Sequence, residues 1–340
     1  MSEAAGSHDP AEKLLHLLGG KWLAAAVSAA ASLGIADALA DGPLGLEDLA
    51  RRIECEPDAL RRLLRVLLGE DIVTLDERNE YTSTEMGDLL RGDALGDLAK
   101  FVGAPFGWDP WSALADSVRT GEAAFQKHHG LPLFDYLDHH AEQARLYQAA
   151  IDAFSKGEAR ALAQTFDFGA ATRVADIGGG RGGLLVEILS KWPHLTGVLL
   201  ERPTAAEEAR HTLARAGLQD RCDVRVGDFF EAVPDDADVC ILMHIIHSWD
   251  DATAIELLRR CASAVGPKGA VLVIEGVLVP DGRRDLTNLL DLEMLVLCGP
   301  GHERRKPEMR RLISEAGLHL ANVAPLSGGV RMFEARTRPD

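Results

Sequence analysis

The sequence predicts an α/β chain: a Rossmann-like domain with a C-terminal antiparallel strand, behind a mainly helical part that contains a winged helix. Three observations carry this. From residue 173 onward, strand-like apolar runs alternate with helical ones, the signature of a doubly wound parallel sheet. A glycine-rich loop follows the first of those runs and opens the first helix. Before residue 169, apolar residues recur at three- and four-residue spacing instead, as in Leu14, Leu17, Leu18 and again in Leu60, Leu63, Leu64, Leu67, Leu68.

Taken in chain order, the helical pattern begins near Ala11. The apolar stretch Trp22 to Ile35 is Ala-rich and shorter than the ~20 residues of a membrane span, so it reads as a buried helix. Leu46–Ile53 and Asp58–Gly69 form two short helices about a turn at Glu54–Pro57. Two short strands follow within Asp71–Thr84, turning at Glu77–Glu80, and complete the winged helix-turn-helix. Its second helix carries Arg61, Arg62 and Arg65, but it is set among acids, which favours a dimerisation scaffold over a nucleic-acid reader. The later strands are Arg173–Ile177, Gly197–Leu200, Cys222–Val226, Val239–His244 and Ala270–Glu275. Helices Gly183–Lys191, Thr204–Ala216 and Asp251–Val265 lie between them, then Leu286–Leu297 and Pro307–Ala316. The last two strands, Leu318–Leu326 and Val330–Arg336, are joined by only three residues, a link that suits an antiparallel pair alone.

Composition sets outer limits. The 340 residues are enough for two ordinary domains, and 46% hydrophobic with 26% charged residues is a soluble globular profile. A net charge of −17 opposes nucleic acid and anionic membrane partners. Five cysteines, odd in number and without a CxxC pair, suit a reduced, cytoplasmic chain. The start lacks the basic and apolar segments of a secretory leader.

Chemistry concentrates around the glycine loop. Gly178, Gly180 and Gly183 fit GxGxxG, which leaves a dinucleotide or S-adenosylmethionine as ligand. Three acids favour the second. Asp176 ends the first strand, where a carboxylate repels a pyrophosphate but not the cationic methionine end. Glu201 ends the second strand, where it can accept both ribose hydroxyls. Asp228 follows the third strand and suits the adenine amine, with Phe229 against the ring face.

These residues resemble a known family, the class I S-adenosylmethionine-dependent O-methyltransferases of the plant caffeate/flavonoid type and their bacterial natural-product tailoring relatives. The resemblance runs from about residue 15 to 336, on DIGGG (Asp176–Gly180), LLERP (Leu199–Pro203), GDFF (Gly227–Phe230), HIIHSWDD (His244–Asp251) and GPGHERR (Gly299–Arg305). It implies a winged-helix dimerisation domain over residues 11–105, a helical linker lining the substrate pocket over 106–165, and an S-adenosylmethionine-binding methyltransferase domain over 166–338. It further implies a homodimer acting on a phenolic or hydroxyl group of a small aromatic or polyketide-type metabolite. The expected cofactor contacts are Asp176, Gly178, Gly180, Glu201, Arg202, Asp228, Phe229 and Met243. His247 is the expected general base, flanked by Glu275 and Glu303; Met294, Cys298 and Trp249 are expected to line the acceptor pocket, and no metal is expected.

The chain departs from the plant pattern. Ser248 stands where Asp follows the catalytic histidine, and Met243 where a Lys precedes it by four residues; His302 occupies a commonly basic position. Both first changes remove charge near the cofactor or acceptor, so N- or C-methyl transfer on the same fold stays open. The motifs also leave room for metal assistance through His247, His302 and Glu303, for a ligand-sensing DNA-binding regulator, and for an NAD-dependent dehydrogenase.

Overall fold

The first strands of the chain belong to a small three-stranded antiparallel sheet, β1 (Leu44–Gly45), β2 (Val73–Leu75) and β3 (Glu80–Ser83), with β3 in the middle. It lies in a computed structural model that describes residues 9–92, 94–279 and 284–337, so the expected domain end at 338 lies outside the described residues. The described chain divides into two compact units, one up to Trp108 and one from Asp109.

In the first unit, helix Pro10–Ser32 starts at Asp9, whose carboxylate accepts from the Ala11 amide at 2.9 Å, with proline at the first helical position. It is 23 residues long, so the stretch from Trp22 is the second half of a longer helix. Its length and apolar composition meet the criterion for crossing a membrane. Only Ser28, Ala30 and Ala31 of it are buried. Helices Leu46–Arg52 and Pro57–Gly69 with β2 and β3 give the expected winged helix. Leu49, Leu60, Leu64, Leu67, Ile72 and Tyr81 fill its core. Strand β1, only two residues long, is too short to show a periodicity in the sequence. Asp76 shapes the β2–β3 turn by accepting from the amides of Arg78 and Glu80.

The second unit holds a seven-stranded sheet: β4 (Arg173–Ile177), β5 (Thr196–Glu201), β6 (Cys222–Val226), β7 (Val239–Met243), β8 (Ala270–Gly276), β9 (Leu318–Pro325) and β10 (Val330–Thr337). The order is β6-β5-β4-β7-β8-β10-β9. Strands β4 to β8 are parallel, and β10 runs antiparallel to both neighbours, as the short final turn requires. Strand order reverses between β4 and β7, so a crevice opens at their carboxyl ends. Each face of the sheet has its own apolar core, one around Leu185, Ile188 and Leu199, the other around Leu257, Leu258 and Leu312. Helix Ala141–Thr165 adds Ala159, Leu162 and Ala163 to the first core, which ties it to the sheet within one unit.

Candidate active site

The crevice at the ends of β4, β5 and β7 is a cavity lined by Asp176, Gly178, Gly180, Glu201, Arg202, Asp228, Phe229 and Met243, together with Trp249. Asp176 is 1% exposed and its Oδ2 has no hydrogen-bond partner. Burial, then the nearby Glu201 carboxylate, push its acid up to about 7. The Glu201 carboxyl is also raised by burial, although it accepts from the Gly180 amide at 2.9 Å and the Arg202 amide at 2.7 Å. Each of its oxygens keeps a lone pair for a further donor. At Gly178 the backbone is left-handed, φ 71°, and a Cβ would stand 2.6 Å from Ile245 Cδ1. Only glycine makes that turn without moving its neighbour.

Asp228 uses Oδ1 to accept from the Phe230 amide at 2.7 Å, which turns the loop after β6. Phe229, Phe230, Trp249 and Phe134 form an aromatic wall, with Trp249 edge-on to Phe230 at 4.8 Å and stacked on Phe134 at 6.0 Å. Trp249, expected in the acceptor pocket, stands in this wall, because the 3-10 turn Ile246–Ser248 directs the chain back toward the loop after β6. Arg202 packs over Phe134 and pairs with Asp138 and Asp135.

Three further cavity residues escape a reading of the sequence: Tyr147, Gln148 and Asp152 on helix Ala141–Thr165. A Cβ at Gly183 would lie 2.2 Å from Asp152 Oδ1, so this helix closes down on the glycine loop.

Beside the cavity lies a second group. His247 Nδ1 donates to Glu303 Oε1 at 2.9 Å and faces Glu275 Oε2 at 3.3 Å. Its Nε2 has no hydrogen-bond partner among the described residues. Burial works against charge on this imidazole, but Glu275 and Glu303 outweigh it and hold the group up to about 9. Glu275 does more than expected: its Oε1 accepts from the amides of Ile245, Ile246 and His247 and so anchors the whole turn. Arg304, 1% exposed, locks the turn from the other side through the carbonyls of Ile246 and Trp249. The His247 ring is not itself part of the cavity lining, whereas His244 and Ser248 are.

His244 opens the HIIHSWDD motif, and nothing in the sequence assigns it a role. Its Nε2 pairs with Glu158 Oε2 at 2.5 Å. With His247 and Glu275 it forms a set of donors compact enough for a metal ion. His302 is not part of that set; it is half-buried, near the Pro300 carbonyl and Asp251. Met294 and Cys298 sit one helical turn apart, the Cys298 amide donating to the Met294 carbonyl at 2.7 Å, and neither belongs to the cavity lining. The Cys298 thiol, pushed up to about 12 by burial, meets the Ser248 side chain.

The cavity's chemistry fits S-adenosylmethionine. A buried carboxylate oxygen lacking a partner beside the glycine turn suits a cation and repels a pyrophosphate. Glu201 has acceptor capacity for a ribose diol, and the aromatic wall offers a flat apolar face to an adenine.

Comparison with known proteins agrees. Residues 111–319 match the O-methyltransferase domain model, and residues 15–93 match the O-methyltransferase dimerisation domain model. The mitomycin biosynthesis 6-O-methyltransferase of Streptomyces lavendulae is 38% identical over 96% of this chain and 94% of that protein. The 8-amino-8-demethylriboflavin N,N-dimethyltransferase of Streptomyces davaonensis is 36% identical over 91% of this chain and 90% of that protein. A solved O-methyltransferase from neocarzinostatin biosynthesis, in complex with S-adenosylmethionine and 2-hydroxy-5-methyl naphthoic acid, is similar with a TM-score of 0.75 and 32% identity, covering 92% of this chain and 95% of that one. The dehydrogenase and regulator readings fall away, and the chain belongs to the S-adenosylmethionine-dependent O-methyltransferase family.

Proposed function

We propose that this protein moves the methyl group of S-adenosylmethionine to a hydroxyl oxygen of a small aromatic metabolite, with His247 as general base. The observation that carries this is the His247–Glu303 pair, which fixes one imidazole nitrogen and leaves Nε2 without a hydrogen-bond partner among the described residues. When bound, the cofactor supplies an electrophilic sulfonium methyl. Asp176 and Glu201 hold its charged and ribose ends, while Asp228 and the Phe229 wall take the adenine. Gly178 and Gly180 let the backbone come close, and Arg202 and Met243 complete the walls. At His247 Nε2 the acceptor's hydroxyl proton is taken as its oxygen forms the new bond to carbon; the carbon–sulfur pair stays on sulfur. Glu303 balances the imidazolium that results, and Glu275 keeps the turn in place. Met294 and Cys298 line the acceptor side, and the helices of 109–165, within the same unit, form its wall beside them.

A methyl-transfer assay with labelled cofactor and a panel of aromatic alcohols tests the proposal. The His247→Ala variant should keep cofactor binding and lose roughly 10²–10⁴-fold in turnover, the usual share of a general base. Near-full activity of that variant would make alignment alone sufficient and shift the reading toward nitrogen or carbon acceptors. The N,N-dimethyltransferase relative is what keeps nitrogen as the second reading.

The assembly follows from the first unit. On helix Pro10–Ser32 the side chains of Leu14, Leu15, Leu17, Leu18 and Trp22 are all more than half exposed, and all but Leu14, which stands one residue before it, fall within the segment that matches the dimerisation model. A homodimer through this helix and the winged element covers them. No nucleic acid or membrane partner and a reducing, cytoplasmic setting are in keeping with the net charge of −17 and with five cysteines that form no disulfide.

A further inference from the structure

Five ionisable side chains from four segments run in a row beside the cavity: Glu158, His244, Glu275, His247 and Glu303. His244 follows β7 with φ 54°, a left-handed backbone that a non-glycine residue adopts only when its surroundings hold it there. Its amide donates to the Ile274 carbonyl at 2.9 Å, and its side chain is 7% exposed. Glu158 comes from helix Ala141–Thr165, 86 residues earlier, and is equally buried. The Nε2–Glu158 bond turns His244 Nδ1 toward Glu275 Oε2, at 3.8 Å. That same oxygen faces His247 Nδ1 at 3.3 Å and has no hydrogen-bond partner. The two imidazole rings stand 5.5 Å apart. One carboxylate oxygen is therefore shared between two histidines; His244 has a second carboxylate, Glu158, at its other ring nitrogen, whereas His247 meets its second carboxylate, Glu303, at the same Nδ1.

We infer that His244, held by Glu158, is a positioning residue that neutralises Glu275 from the cavity side, so that His247 does not face two uncompensated carboxylates at once. This rests on the reading of His247 as the base. A base must be unprotonated to accept a proton, and two buried carboxylates against one imidazole keep it protonated. A positive His244 takes up the charge of Glu275 and repels a proton on His247. The other charges facing the pair are Glu303 and Arg304, which follow helix Leu286–Leu297; Arg304 is paired with Asp251 at 2.9 Å and opposes protonation of His247. Burial opposes charge on His244, yet Glu158 and then Glu275 leave it raised above its ordinary value, so it carries charge where an exposed histidine does not.

Each substitution has a sign. His244→Asn removes the compensating charge and moves protonation of His247 to higher pH. Glu158→Gln, nearly isosteric, lets His244 lose its proton and acts in the same direction. Glu275→Gln removes the shared charge and moves His247 to lower pH. An opposite charge within hydrogen-bonding reach shifts a titration by roughly one to three units, so shifts of about one unit or more are expected. The test is a pH titration of the imidazole Cε1–H resonances in ¹³C-labelled full-length protein, with His247 assigned from His247→Gln, beside the pH profile of kcat/KM for each variant. The expected result is His247 titrating higher in His244→Asn and Glu158→Gln, lower in Glu275→Gln, with the acid limb of the rate profile following. An unmoved His247 titration in folded Glu158→Gln would overturn the inference, and so would uniform loss of activity at every pH without any shift. A His247 resonance that moves as stated while the rate profile stays put supports the coupling and instead sinks the assignment of His247 as base.

Discussion

Asp176 is a carboxylate with almost no access to water, placed where the sheet delivers its ligand. In an unfolded chain an aspartate titrates near ~3.9. Folding, through burial and then Glu201, moves this one up to about 7, so ionising it works increasingly against the folded state as pH rises between those values. A cation seated against the carboxylate reverses that balance and expels the proton. Affinity for S-adenosylmethionine should therefore rise as pH increases through about 7, and calorimetry in buffers of different ionisation enthalpy should register proton release on binding. Asp176→Asn should remove the release and flatten the rise. Proton-neutral binding by the unaltered protein would mean that Asp176 does not sense the ligand's charge. Asp176 and Glu201 are legible in the sequence because they stand last but one and last in strands whose apolar runs are easy to see. The Glu158–His244 pair is not, since its partners lie 86 residues apart on elements whose contact no spacing rule encodes.

The same contrast holds for whole elements. Strands β4 to β10 and their helices can be read from the sequence within a residue or two: the inner strands β4, β5, β7 and β8, buried on both faces, write themselves as continuous apolar runs, while the half-exposed outer strands β6 and β9 are placed by the helices and the short turn that flank them. The segment that carries Glu303 has no such signature: it is irregular, and its position is set by close backbone packing. Gly301 shows how close. A Cβ there would lie 2.6 Å from the His247 carbonyl oxygen and 2.7 Å from that of Ser248, both backbone atoms of the turn that holds the proposed base. Gly301→Ala should push the two segments apart and stretch the 2.9 Å His247–Glu303 bond. A misplacement of about 1 Å at a reacting group costs on the order of 10²-fold, so kcat/KM should fall by roughly tenfold or more. Affinity for S-adenosylhomocysteine should stay within about twofold, because Gly178, Glu201 and Asp228 lie on other segments, at or after the ends of β4, β5 and β6. Equal loss of both would show that the substitution unfolds the domain rather than detaching Glu303 from His247.

At the scale of the whole molecule, the helix Pro10–Ser32 poses a physical problem that one chain does not solve. Leu14 and Leu18 are 57% and 63% exposed and Trp22 is 75% exposed, spaced one turn apart along a single face. A row of this kind left in water invites association, and its length and composition also meet the criterion for a membrane span. Charge separates the two outcomes. Lys13, His16 and Lys21 break up the apolar run, each costly in a hydrocarbon core, and the chain as a whole carries −17, which opposes approach to anionic lipid; a second copy meets neither cost, since these long side chains can keep their charged ends in water at the edge of a helix pair. Light scattering should give twice the chain mass of 36.7 kDa in detergent-free buffer. Replacing both Leu14 and Leu18 by Glu should leave the helix intact, since neither packs inside its own unit, and should drive the protein to monomer. A monomer for the unaltered chain would refute the dimer, and co-sedimentation with neutral lipid vesicles that the double variant abolishes would assign this face to a membrane and not to a second subunit.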